Sequence, residues 1–148
     1  MAVEKYGRCP CNDSWISQGY KSSSHKAIDL GWLSGYGANR PVYAWKSGTV
    51  VATGTDSAGG VYVVLRHDAG DKVWISRYWH FVKNSVVVKK GQAVKQGDKL
   101  GTRGNTGIST GVTFLSVAGI SLVQSPSAVA IQRSFSISNQ IYPSASFC

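Results

Sequence analysis

Val61-Tyr62-Val63-Val64-Leu65-Arg66-His67-Asp68-Ala69-Gly70-Asp71-Lys72-Val73-Trp74-Ile75-Ser76-Arg77-Tyr78-Trp79 carries the strongest structural signal in the chain. Val61 to Arg66 opens with five continuous apolar residues, three of them β-branched valines, which predicts a strand central in a sheet. His67 to Asp71, with Gly70, predicts a turn, and Val73 to Trp79 predicts the returning strand. Toward the N-terminus, Pro41-Val42-Tyr43-Ala44 is a short strand, Ser47-Gly48 a turn, Thr49 to Thr53 the next strand and Asp56 to Gly60 a loop. Toward the C-terminus, Val86-Val87-Val88 leads into Lys89 to Gly101, and glycines at 91, 97, 101, 104, 107 and 111 place a turn every few residues. No long stretch has a persuasive 3.6-residue period. The expectation is an all-β domain of short antiparallel strands.

Composition agrees. The chain has 148 residues, enough for one core without staples, and 43% are hydrophobic. Val61 to Leu65 is its longest apolar run, far short of a membrane span. Met1-Ala2-Val3-Glu4-Lys5 has no apolar core of a signal peptide. Sixteen Lys and Arg against seven Asp and Glu favour an anionic partner such as a cell-wall polymer. The lysines are scattered rather than gathered into a recognition element, so nucleic acid is not the expected partner.

Three segments are expected: a polar lead-in over 1–17, the folded domain over 18–118, and a Ser-rich, nearly uncharged tail over 119–148. Cys9, Cys11 and Cys148 form neither a Cys-x-x-Cys motif nor a zinc knuckle. They read as incidental thiols near the termini, with a bridge from Cys148 to Cys9 or Cys11 left open.

Only three histidines, His25, His67 and His80, are available for metal or acid–base chemistry. His25-Lys26-Ala27-Ile28-Asp29 offers an imidazole and a carboxylate at an offset that lets both reach one metal ion. His80, in Tyr78-Trp79-His80-Phe81, closes a strand and is a candidate acid–base group. His67, beside Asp68, reads as structural. Gly104-Asn105-Thr106-Gly107-Ile108-Ser109-Thr110-Gly111 lacks the Lys of a phosphate loop and reads as a tight loop feeding a strand.

Taken in order, these pieces resemble the lysostaphin/LytM-type zinc endopeptidases, which cut peptidoglycan peptides. The resemblance runs from Gln18-Gly19-Tyr20 to Val117. It rests on His25-x-x-x-Asp29-x-Gly31, Pro41-Val42-Tyr43-Ala44, Ser47-Gly48-Thr49-Val50-Val51, Tyr78-x-His80, the glycine-spaced run to Gly101, and Gly104 to Gly111. It implies an antiparallel sheet flooring an open groove. It also implies a zinc ion that activates water and polarises the peptide carbonyl. By residue matching, His25 and Asp29 are zinc ligands and His80 is one of two catalytic imidazoles.

The matching fails at one place. The family follows Ser-Thr-Gly with one residue and then His-x-His, the second His being the third zinc ligand. Here Val112-Thr113-Phe114-Leu115 follows, so Thr113 and Leu115 occupy the two positions. Lys, Asp and Glu are also absent after Lys99. A degenerate member with a repurposed tail, a strand built differently and a change of reading frame all fit this break.

The expected function is a peptidoglycan-directed domain with an incomplete zinc and catalytic site, weakly active or inactive, binding wall peptides or anionic wall polymer. The lack of a leader fits a phage product that reaches the wall through the virion or after lysis. The alternative is a structural or assembly module, such as a phage tail-tip component, associating with the virion or with itself through the tail. Trp32, Tyr36, Trp45, Trp74 and Trp79 are candidates to line the groove or to fill the core.

Overall fold

The computed structural model describes residues 7–12, 14–18, 24, 28–32, 39–70, 72–108 and 114–117. Nine strands run through them: β1 (Ser14–Gln18), β2 (Ile28–Trp32), β3 (Pro41–Tyr43), β4 (Gly48–Thr55), β5 (Val61–Ala69), β6 (Lys72–Phe81), β7 (Ala93–Val94), β8 (Lys99–Thr102) and β9 (Phe114–Val117). Every pairing is antiparallel. The strand orders are β1-β2-β9, β3-β8 and β6-β5-β4-β7. The expected all-β, antiparallel class is what the chain adopts. No helix among the described residues is long and apolar enough to cross a membrane.

β5 lies between β4 and β6, the central place its sequence predicts. Its apolar run nevertheless hides an alternation. Val61, Val63, Leu65 and His67 are buried, whereas Tyr62 and Val64 are half-buried and Arg66 and Asp68 exposed. One face packs on the core and the other meets solvent, as antiparallel sheets allow. The core adds Leu30, Val42, Ala44, Trp45, Val50, Tyr78, Phe81, Val88, Val94 and Leu100.

His67 does not sit in the turn expected for it. β5 continues to Ala69, and His67 pairs with Trp74. The reason is a buried hydrogen-bonded chain. His67 Nδ1 lies 2.8 Å from the Ser47 carbonyl oxygen, and Nε2 lies 2.7 Å from Ser76 Oγ. Ser76 Oγ is 3.0 Å from the Tyr78 hydroxyl, which accepts the Trp45 backbone N–H at 3.0 Å. Each polar atom in the chain has a partner, so an imidazole serves here as a core side chain.

The lead-in is tied to the body. Arg8 N–H donates to the Trp45 carbonyl at 2.8 Å, and Tyr43 N–H donates to the Pro10 carbonyl at 2.7 Å. β1 begins at Ser14, inside the segment read as lead-in. Cys11 is fully buried in the core rather than incidental at a loose terminus. Arg103 is also fully buried, and its Nη1 donates to Ser14 Oγ at 2.7 Å.

Burial raises the Cys11 thiol from 9.0 to about 12, against the opposing pull of Arg103. Burial likewise raises the Tyr78 phenol from 10.0 to about 12, against hydrogen bonds from Ser76 and Trp45. Both folded-state values exceed the unfolded ones. The stability from the neutral forms is therefore complete below pH 9 and is lost as pH rises toward 12. An alkaline unfolding titration followed by tryptophan fluorescence should show a cooperative loss in that window, moved to higher pH in Cys11→Ala.

Candidate functional site

His80 owes its orientation to a fault in the β5–β6 ladder. Pairing is in step from Ala69↔Lys72 to Val63↔Tyr78 and resumes at Val61↔Phe81, so Trp79 and His80 together face Tyr62. Such a bulge bends the strand and re-aims a side chain. His80 takes φ +67°, a conformation that L-residues rarely adopt. Strain of this kind gathers where function or surrounding contacts impose it.

The glycine-rich loop holds the strained imidazole in place. His80 Nδ1 lies 2.5 Å from the Thr106 carbonyl oxygen. A carbonyl only accepts, so Nδ1 carries a proton, and in the neutral form of the ring the lone pair lies on Nε2. Thr106 Oγ1 donates to the Phe81 carbonyl at 2.6 Å and accepts the Val61 N–H at 3.0 Å. One threonine therefore pins the loop to both strands and fixes the His80 tautomer. An imidazole set in this way can accept a proton at Nε2 or, once protonated, donate to a developing oxyanion.

Close approach explains the loop's glycines. A Cβ on Gly104 would meet Val82 N at 2.5 Å, and one on Gly107, at φ +82°, would meet Gly60 Cα at 2.6 Å. Gly104→Ala should therefore cost about 1–3 kcal/mol and loosen the Thr106 contact, visible as a shift of the His80 ring protons. Thr106→Val should cost a similar ~1–3 kcal/mol, and Thr106→Ser should restore most of it; urea melts compare the two.

Asp56 completes the constellation. Its carboxylate accepts the Trp79 indole N–H at 2.7 Å, the Gly60 N–H at 2.8 Å and the Ala58 N–H at 2.9 Å. These bonds, the Trp79 one foremost, hold its pKa below the ordinary carboxylate value, and the nearby His80 adds to the effect. Trp79 also stacks on Tyr62, with centroids 4.9 Å apart. Sequence reading missed Asp56 and Thr106. Asp-Ser-Ala-Gly-Gly is a side-chain-capped turn signature that points to Asp56, whereas nothing local marks Thr106.

The aromatic candidates divide. Trp45 is core, and half-buried Trp74 packs on it with centroids 6.2 Å apart. Trp79 and Tyr62 border His80. Tyr36 and the Trp32 side chain lie outside the described residues.

Among the residues proposed for the metal, Asp29 lies on β2, half-buried, with Oδ1 enclosed by protein. His25 and Thr113 fall outside the described residues. β9 pairs with β2 and also lies close to β6, the strand of His80. The β2–β9 register is Ile28↔Val117, Asp29↔Ser116, Leu30↔Leu115 and Gly31↔Phe114. Directly opposed residues share a face. In this register Gly31 and Asp29 oppose positions 114 and 116, while the family matching along the sequence names 113 and 115. Position 115 is opposite Leu30, which is fully buried.

A catalytic zinc ion requires three protein donors and an open position. Among the described residues, no three His, Cys, Asp or Glu side chains are grouped to hold a metal. Asp29 faces Ser116, and His25 would bring the family donors to two. Neither position 115 nor position 116 is a histidine, and with His25 and Thr113 outside the described residues, the described residues alone assemble no three-donor site.

The family model described as Peptidase family M23 matches residues 23–117. Peptidoglycan DD-endopeptidase ShyA of Vibrio cholerae is 42% identical over 71 residues, 48% of this chain and 15% of that protein. An uncharacterized metalloprotease of Haemophilus influenzae is 40% identical over 88 residues, 59% of this chain and 17% of that protein. The chain thus spans about one-sixth of the length of these curated relatives. In structure, a putative peptidase M23 from Pseudomonas aeruginosa superposes with TM-score 0.62 at 27% identity, covering 78% of this chain and 45% of that one. The antimicrobial peptidase lysostaphin from Staphylococcus simulans gives 0.59 at 27% identity, covering 76% and 44%.

Proposed function

Because the chain belongs to peptidase family M23, we propose that it is a peptidoglycan-directed domain that keeps the peptide-binding frame of the family and has lost efficient hydrolysis. One observation supports this reading: the residue opposite Asp29 on β9 is Ser116, and on this reading that position would have to supply the third metal donor. A serine hydroxyl is a weak neutral ligand, and two donors leave zinc weakly held.

What persists is the binding half of the site. His80, with its tautomer fixed by Thr106, presents Nε2 as a hydrogen-bond partner for a peptide group. Asp56 supplies a fixed negative charge beside it, and the Tyr62–Trp79 pair supplies an aromatic wall. Exposed Lys83, Lys89, Lys90, Lys95 and Lys99 favour an anionic polymer.

Cosedimentation with insoluble peptidoglycan tests the proposal. The chain should pellet with the wall material, equally with and without a zinc chelator, and release no soluble peptide. Binding abolished by the chelator, or release of soluble peptide, contradicts it.

A further inference from the structure

β4 is covered unequally along its outer edge. At its start, Gly48 and Thr49 pair with β7, and Val50 exchanges backbone hydrogen bonds with Gly91 and Gln92. Beyond Val50, residues Ala52 to Thr55 pair with β5 on the inner side. Among the described residues, no backbone hydrogen bond covers their other side. A cavity of about 280 Å³ lies there, between Thr53-Gly54-Thr55 on one wall and Lys83, Asn84, Val86 and Val88 on the other, with Val61 contributing. An edge with unpaired N–H and C=O groups is a template for an added strand.

The chemistry of the lining narrows the occupant. Val61, Val86 and Val88 offer apolar contact, Thr53 and Thr55 offer hydroxyls, and Lys83 is exposed at one end with Asn84 beside it in a φ +63° turn. The lining contains no acidic residue to neutralise Lys83. We infer that this edge groove binds an extended peptide by strand addition to β4, with the peptide's terminal carboxylate paired to Lys83 and small aliphatic side chains against the valines. The inference does not depend on the peptidoglycan reading. The groove meets the His80 site at Val61, whose N–H binds Thr106.

The test is a backbone amide NMR titration of the full chain with N-acetyl-Gly-Val-Ala, as the free acid and as the C-terminal amide. The free acid should shift the amides of residues 53–55, 61 and 83–88. The amide form and Lys83→Glu should each weaken binding by about 5- to 10-fold. Three results overturn the inference: no shifts in these residues at millimolar peptide, equal affinity for acid and amide, or equal affinity for Lys83→Glu. Broadening of the same amides with protein concentration alone would assign the edge to a second copy of the chain and also overturn it. Shifts confined to His80 and Thr106 would contradict this inference while leaving the proposed function standing.

Discussion

Ser116→His raises the zinc affinity of this chain by on the order of 100-fold, and Leu115→His does not. Asp29 is opposite Ser116 across β2–β9, so an imidazole introduced at 116 joins the face that carries the carboxylate. On the proposed reading His25 and Asp29 are two donors, and the added imidazole supplies a third. An imidazole at 115 lands opposite Leu30, which is fully buried. There it brings a polar group to an apolar face and costs about 1–3 kcal/mol of stability. Competition with a chromophoric chelator measures the affinity, and a thermal melt measures the cost. Equal zinc affinity for the two variants would mean that the register between β2 and β9 does not govern the site.

The second large effect belongs to the core. His67→Leu should destabilise the fold by about 2–4 kcal/mol, although leucine is similar in size and more apolar. The loss comes from the hydrogen bonds to Ser47 O and Ser76 Oγ, both made inside protein. Ser76→Ala should cost less, about 1 kcal/mol, and the double variant should cost less than the sum, because both changes break one chain. Urea unfolding of the four proteins reads this directly. A neutral His67→Leu would mean that the imidazole merely fills volume.

The fold was legible because its signals are local. Val61 to Leu65 announces a strand through β-branching, and Gly70 announces the turn that pairs it with β6. The end of β5 was misread because His67-Asp68 looks like turn chemistry. Only the burial of Ser47 and Ser76 around the imidazole makes a strand residue of it. His80 was legible from Tyr-x-His, but its bulge and positive φ were not, since they arise from pairing with Tyr62 and docking of Thr106. Arg103 was unremarked, and Cys11 read as an incidental thiol, for a similar reason. Their burial depends on β1 and the lead-in closing over the core from far away in sequence.

The third ligand position teaches the same lesson more sharply. Counting residues from Ser109-Thr110-Gly111 selects 113 and 115. Cross-strand pairing selects 114 and 116. Neither selection contains a histidine, which the residue count already shows, and the two selections predict different substitutions as the repair.

The most direct measurement is metal content by elemental analysis of the purified chain equilibrated with micromolar zinc, run beside peptidoglycan turnover. The expected result is well under one zinc per chain and no turnover, unchanged in His25→Ala. One tightly bound zinc per chain, with peptidoglycan cleavage that disappears in His25→Ala, would contradict the account.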